Sequence, residues 1–220
     1  FLEHERDNLP QVPACEVCNN IKSELEHYLT AVLPFGGQHS DSLSNLSSMV
    51  PKRLNKNKRL YNNLRSGMRR GWFVTDSSVM VKSTSITIDF TKIERLMEYI
   101  VRGLCWKHMR VQLLEDDFVK VMAVTKHGEN YFRDNLFNLN CNLRIKRDLG
   151  KGTVSYDGIQ GTDDPKRTVW RIKLYSGIQM SDSEGTIEDR TNTFVLITAD
   201  KRESDIAQQL KYRNVLVQVP

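Results

Sequence analysis

The sequence of 220 residues has few cysteines and no long apolar segment. A disulfide-stapled domain has more cysteines in a shorter chain than the four found here, so a reducing compartment is expected. No stretch approaches the roughly 20 apolar residues that a membrane-spanning helix requires. The start of the sequence also lacks a secretory signal pattern. These absences favour a globular protein of the cytoplasm.

The composition is that of a chain able to bury a core. Hydrophobic residues make up 39% of the sequence and charged residues 27%. The formal net charge is +5, with a pI near 9.0. Mild basicity of this size is compatible with a nucleic-acid partner, but it is too common to indicate one by itself.

Apolar periodicity predicts an α+β fold with a helical N-terminal part and a mixed, β-rich remainder. Residues 20–33 and 91–108 have apolar side chains at three- and four-residue spacing, which is typical of helices. A further helical region is expected over 42–66, with Pro51 in its first turn and Gly67 or Gly71 after its end. Thr91 is the expected cap of the later helix.

The remaining elements are shorter. Strands are expected at 72–74, 79–81 and 86–90, a weak helix at 128–138, and further strands around 143–145, 154–156, 169–175 and 194–197. A short helix over 203–212 and a strand over 215–219 are expected to end the chain. This reading divides the sequence into three parts: residues 1–35, a basic helical region over 36–71, and an α+β domain over 72–220.

One cysteine pair has the spacing of a metal site. Cys15 and Cys18 are separated by two residues and lead into a helix, so a tight turn would aim both thiolates at one point. Zinc needs four ligands, however, and no second pair with this spacing exists in the chain. On spacing alone, half of a zinc site and a metal-free thiol pair remain open.

The surrounding residues resemble the latter half of the motif of HNH-type (ββα-metal) nucleases. The string over residues 8–28 supplies Asn8-Leu9, Val12-Pro13, the two cysteines, Asn19 and Lys22-Ser23 in the order of that motif. The resemblance implies that Cys15 and Cys18 bind structural zinc. It also implies that Asn19 binds a catalytic divalent cation such as Mg²⁺, and that Asn8 orients a general-base histidine. An N-cap of the following helix is the alternative role for Asn19.

The first half of that motif is missing from the sequence. The family places a CxxC and an Asp-His or Glu-His pair earlier in the chain. Glu3-His4 has the composition of the second element, but His4 lies only four residues before Asn8, whereas the family usually places a longer loop between the two. We therefore expect the histidine and the first cysteine pair to precede Phe1. The chain as it stands is expected to be inactive.

A basic segment follows the first helix. Residues 51–70 carry eight basic side chains and no acidic one: Lys52, Arg53, Lys56, Lys58, Arg59, Arg65, Arg69 and Arg70. Such a surface would bind phosphates with strong salt dependence, whereas the alternative is an ordinary solvated helix face. Tyr61 and Trp72 could stack on bases, although core positions are expected for both.

These features together predict an HNH endonuclease-like protein. A histidine would activate water and a divalent cation would stabilise the charge that develops on the phosphate. Zinc would only hold the scaffold, and the partner would be nucleic acid, with DNA expected. Two alternatives remain open: a non-catalytic zinc-knuckle protein that binds nucleic acid or serves as a scaffold, and a metal-free protein-binding module.

Overall fold

The computed structural model describes residues 9–74, 78–135, 141–180 and 191–201. The predicted α+β class is confirmed, with a helical N-terminal part and a β-rich C-terminal part. The described helices are α1 (Glu16–Val32), α2 (Ser40–Lys56), α3 (Lys58–Ser66), α4 (Phe90–Leu104) and α5 (Lys126–Asn135). The described strands are β1 (Arg69–Val74), β2 (Met80–Ser85), β3 (Phe118–Thr125), β4 (Leu143–Leu149), β5 (Val154–Gln160), β6 (Thr168–Leu174) and β7 (Thr191–Ala199). The elements predicted over 203–212 and 215–219 lie outside the described residues.

The helical region predicted over 42–66 is two helices, joined at Asn57. The side-chain oxygen of Asn57 accepts a hydrogen bond from the Leu60 amide at 3.0 Å and so caps α3. Pro51 lies inside α2 and not in its first turn, because the helix begins earlier, at Ser40. A proline there removes one backbone hydrogen bond, which the rest of the helix tolerates. Gly67 follows α3, as predicted.

The region predicted as three short strands is one antiparallel hairpin of β1 and β2. Residues 86–89 have no regular structure and lead into α4, whose N-cap is Asp89. Its carboxylate accepts hydrogen bonds from the Thr91 amide at 3.2 Å and the Thr91 hydroxyl at 2.6 Å. Asp89 is therefore the cap that the sequence assigned to Thr91.

The larger sheet has five strands in the order β3-β7-β6-β5-β4, all antiparallel. Gly150 and Gly152 form the turn between β4 and β5 with positive φ values of 66° and 100°. Gly158 lies within β5 and not in a turn. A Cβ at Gly158 would stand 2.3 Å from Cε3 of Trp170 on the neighbouring strand, so glycine lets the indole lie flat on the sheet.

The core lies between one face of this sheet and helices α1, α3 and α4. Leu29 of α1 and Met97 of α4 are fully buried against it, as are Trp170 and Phe194 from the strands. Strand β6 alternates between buried and half-buried residues, so Arg171 faces away from this core. Arg171 pairs there with Glu129 of α5. Among the described helices, none combines the length and apolar character needed to cross a bilayer.

Candidate metal half-site and nucleic-acid interface

The cysteine pair sits at the N-terminus of α1. Residues 9–15 approach without regular structure, and Cys15 caps the helix in an extended conformation (φ −69°, ψ 159°). The Cys15 sulfur accepts a hydrogen bond from the Cys18 amide at 3.3 Å. Both cysteines are free thiols, with Cys15 exposed and Cys18 half-buried. The helix start therefore holds the two sulfurs on the same turn, as a zinc knuckle requires.

The two thiols differ in acidity because of the hydrogen bonds between them. Hydrogen bonds from the Cys18 amide and the Cys18 thiol lower the pKa of Cys15. The hydrogen bond to Cys15, followed by burial, raises the pKa of Cys18. The pKa of Cys15 therefore lies below that of Cys18. Bound zinc would displace the protons of both thiols, because thiolates are the form that binds it.

The cysteine pair fits zinc as half of a site. No group of three or more His, Cys, Asp or Glu side chains that could hold a metal occurs among the described residues. Cys105 is buried, with its thiol 3.5 Å from the Thr168 hydroxyl, and Cys141 lies just before β4. Cys15 and Cys18 would supply two of the four ligands that zinc requires. His4 and Asn8 lie outside the described residues.

Asn19 is not the cap of α1. It lies in the first turn of the helix, where its amide donates to the Cys15 carbonyl at 2.9 Å. The capping alternative for Asn19 is therefore wrong, since Cys15 has that role. The Asn19 side chain is exposed, next to the cysteine pair in sequence. Its proposed role as a ligand of a catalytic cation stays a prediction.

The eight basic residues lie on consecutive elements at the surface. Lys52, Arg53 and Lys56 belong to α2, Lys58, Arg59 and Arg65 to α3, and Arg69 and Arg70 to β1. All are exposed except Arg53, which is half-buried. None forms an ion pair with any described residue of the chain. We call these eight residues the basic surface.

Helix stability explains only part of the basic surface. Lys58 and Arg59 occupy the first turn of α3, which has no acidic residue. Cations are unfavourable at that end of the helix dipole by roughly 0.3–1 kcal/mol. Lys52 and Lys56 are four residues apart on α2, where like charges repel by a few tenths of a kcal/mol. Arg53 and Lys56 in the last turn of α2 and Arg65 in the last turn of α3 are favoured by the same dipole. Helix stability therefore accounts for these three cations and not for Lys58 and Arg59.

Arg53 connects the basic surface to α1. Its Nη1 lies 3.0 Å from Nδ1 of His27. Because a guanidinium only donates, Nδ1 must accept, which leaves the imidazole proton on Nε2. Both residues line a cavity of about 700 Å³ between α1, α4, the sheet and the extended segment from Leu9 to Val12. Lys22 and Ser23 of the quoted motif line the same cavity.

The expectation that Tyr61 and Trp72 are core residues is wrong. Tyr61 is 40% exposed and Trp72 is 65% exposed. Strand pairing also adds a cation that the sequence did not suggest, because Lys82 lies directly opposite Trp72 in the hairpin. Lys82 becomes a neighbour of Trp72 through the β1–β2 register, and residue types alone do not fix that register.

Comparisons with known proteins add nothing to these geometric observations. No family model matches the chain, and neither a curated protein nor a solved structure matches it.

Proposed function

We propose that this protein binds nucleic acid, with DNA as the expected form, through the basic surface of α2, α3 and β1. The supporting observation is that eight basic residues on three successive elements lie at the surface without an acidic partner among the described residues. Phosphates would supply the missing negative charge. Each phosphate neutralised by a Lys or Arg releases bound counterions, so affinity would fall steeply with salt.

The proposal extends to phosphodiester hydrolysis of the HNH type. Its support is the resemblance of residues 8–28, together with a cysteine pair held on one turn at the start of α1. Cys15 and Cys18 would hold half of a structural zinc site in the reducing cytoplasm. Asn19 would contribute an amide oxygen to a divalent cation, which supplies charge stabilisation at the phosphate when bound. The resemblance implies that a general-base histidine and two further zinc ligands complete the site.

A non-catalytic binder is the second candidate, and one observation favours it. Cys15 caps α1 through its own sulfur, so the cysteine pair has a structural role that needs no nuclease chemistry. In that case the knuckle would stabilise a scaffold for the basic surface. Both candidates share nucleic-acid binding and differ in whether a general base accompanies the knuckle.

Binding is tested by titrating a short labelled DNA duplex with the chain between about 50 and 200 mM salt. The expected result is a linear fall of the logarithm of the association constant with the logarithm of salt concentration. If six to eight of the basic residues contact phosphates, the slope would be roughly −5 to −7. Absence of binding at low salt, or an affinity that does not change with salt, would exclude the proposal.

Catalysis is tested on a longer chain that includes the residues before Phe1. Nicking of supercoiled DNA that requires Mg²⁺ and is lost in Asn19→Ala, with the fold retained, would support the nuclease. Cleavage that is unchanged in Asn19→Ala would overturn the role of Asn19. Stoichiometric zinc without any cleavage would favour the non-catalytic binder.

A further inference from the structure

The β1–β2 hairpin presents an aromatic side chain between two cations. Residues Arg70, Trp72 and Val74 of β1 stand opposite Thr84, Lys82 and Met80 of β2. Directly opposed residues in an antiparallel pair point to the same face, and so do alternate residues along each strand. Arg70, Trp72 and Lys82 therefore share one face, and all three side chains are exposed. We call this the hairpin face.

The exposure of Trp72 is unusual within this protein. Trp170 is fully buried under the sheet, and Trp106 is 39% exposed, whereas Trp72 is 65% exposed. An indole this accessible leaves a large apolar surface in water, which costs stability that burial would recover. The hairpin is also a separate two-stranded sheet in the described part of the chain, and no further strand covers its edges.

The base of the hairpin is nevertheless held in place. The Thr87 hydroxyl lies 3.3 Å from the Gly67 carbonyl, so the segments that enter and leave the hairpin are joined. Ile86, directly after β2, packs against the hydrophobic core. The hairpin that carries Trp72 is thus fixed at its base, and its first strand follows directly after α3 in the chain.

Indole and cations at this spacing match the chemistry of an unpaired nucleotide. The aromatic ring offers a face on which a base can stack, and directly opposed side chains such as Lys82 lie about 5 Å away, between Cβ atoms. Arg70, two residues before Trp72, supplies a second contact for the phosphates on either side of the base. Among its described residues the hairpin face has no carboxylate to repel them.

We propose that the hairpin face binds single-stranded DNA by stacking an unpaired base on Trp72, with Arg70 and Lys82 on the flanking phosphates. This inference rests on the proposed function, because the basic surface supplies the general attraction to phosphate. It adds a preference for unpaired over paired strands. Bases within a duplex already stack on both neighbours, so only an unpaired base offers a free face to the indole.

The test compares two probes of similar charge, an oligothymidylate and a duplex with the same number of phosphates, by fluorescence anisotropy at one salt concentration. Trp72→Ala is expected to weaken oligothymidylate binding by about 5- to 100-fold, the range of one lost base–aromatic stack. Duplex affinity should change by less than about threefold, and the salt slope should not change, because no phosphate contact is removed.

Two variants control for indirect effects. Trp106→Ala removes another exposed indole from outside the hairpin and should leave both affinities unchanged. Trp72→Phe keeps an aromatic ring and should retain most of the affinity for oligothymidylate.

The outcomes separate the two proposals. If wild-type protein binds both probes with salt dependence but Trp72→Ala leaves oligothymidylate binding intact, or weakens both probes equally, stacking at Trp72 is refuted and the basic surface stands. If the wild-type protein binds neither probe, the proposed function and this inference fail together.

Discussion

Three cations of the β-rich part, Arg171, Lys173 and Lys166, are paired with carboxylates, whereas the cations of the basic surface have no such pairs among the described residues. Arg171 of β6 contacts both Glu129 and Asp157, and Lys173 contacts Glu129 at 3.0 Å. Lys166 reaches the buried carboxylate of Asp117 at 2.8 Å. No such pairing occurs at the basic surface within the described residues. The same side-chain types therefore stand in two different electrostatic settings.

This difference indicates a separate role for each set of charges. Around Arg171 the side chains are largely withdrawn from water, and a withdrawn charge requires a partner because its desolvation is otherwise uncompensated. At the basic surface water solvates each cation, so folding neither requires nor rewards pairing. Surfaces of ordinary proteins mix both signs, and a surface of one sign attracts ligands of the opposite sign. We expect one set to be essential for stability and the other for binding.

The largest expected effect is on binding. The triple variant Lys58→Gln, Arg59→Gln, Arg65→Gln removes three exposed cations of α3. Duplex affinity at about 50 mM salt should fall roughly 10²- to 10³-fold, and the slope of affinity against salt should become shallower by about 2.7, since each lost phosphate contact contributes about 0.9. Anisotropy titrations over several salt concentrations measure both quantities.

A matched triple variant shows whether position or net charge matters. Lys107→Gln, Lys126→Gln, Lys146→Gln removes three exposed lysines from the C-terminal part, with the same change in net charge. Its duplex affinity should stay within a few-fold of wild type. An equal loss in both triple variants would mean that overall charge, and not the basic surface, attracts the nucleic acid.

The second prediction applies one substitution to both regions. Arg171→Met leaves Asp157 without its guanidinium partner and removes one of the cations at Glu129. It should lower the free energy of unfolding by about 2–4 kcal/mol and leave DNA affinity unchanged. Arg59→Met should do the reverse, with a stability change within about 0.5 kcal/mol and a measurable loss of affinity. Urea denaturation measures the stability of both variants and anisotropy measures their DNA affinity. Equal destabilisation by Arg171→Met and Arg59→Met would contradict the proposed difference between the two regions.

Local patterns were sufficient for the elements that carry a clear period. The apolar stripe of α4, from Ile93 to Leu104, packs into the core as its three- and four-residue spacing predicts. Strand β6 likewise shows the alternation of a strand with one buried face. In both cases one face of the element meets the core, so the sequence records the burial directly.

Elements defined by distant partners were missed. Among the described strands β3 pairs only with β7, about 70 residues later, and its neighbour in sequence is a helix. Trp72 has a residue type that favours burial, but the hairpin register turns it to solvent beside Lys82. The capping role that was the alternative for Asn19 belongs to Cys15, because the extended segment before α1 ends four residues earlier. Local sequence patterns do not determine which distant strands pair or the residue at which a helix begins.

The cysteine pair gives the third prediction, which separates capping from metal binding. Cys15→Ala removes the acceptor for the Cys18 amide and should destabilise the metal-free chain by about 1 kcal/mol. Cys15→Ser restores a strong N-cap acceptor and should stay within about 0.5 kcal/mol of wild type. Urea denaturation in the presence of a chelator measures this difference.

The same two variants test the metal half-site in the longer chain. Both Cys15→Ala and Cys15→Ser remove a thiolate, so both should lose bound zinc, measured by metal analysis. Retention of stoichiometric zinc by Cys15→Ser would show that Cys15 is a cap only. That result would also remove the main chemical support for a zinc knuckle at α1.

The smallest expected effect concerns the acidity of Cys15. Two donors lower its pKa, the Cys18 amide first and the Cys18 thiol second. Cys18→Ala removes only the thiol, so the pKa of Cys15 should rise part of the way towards its ordinary value and remain below it. The thiolate fraction near neutral pH would then fall, since a higher pKa leaves more of the thiol protonated. The rate of iodoacetamide alkylation at Cys15, followed against pH by peptide mass spectrometry with chelator present, should show its inflection at higher pH in the variant.

The urea-unfolded chain provides the reference inflection for an unperturbed thiol. An inflection in folded Cys18→Ala equal to that reference would mean that the backbone amide contributes nothing. The helix start would then lower the pKa of Cys15 only through its partner thiol.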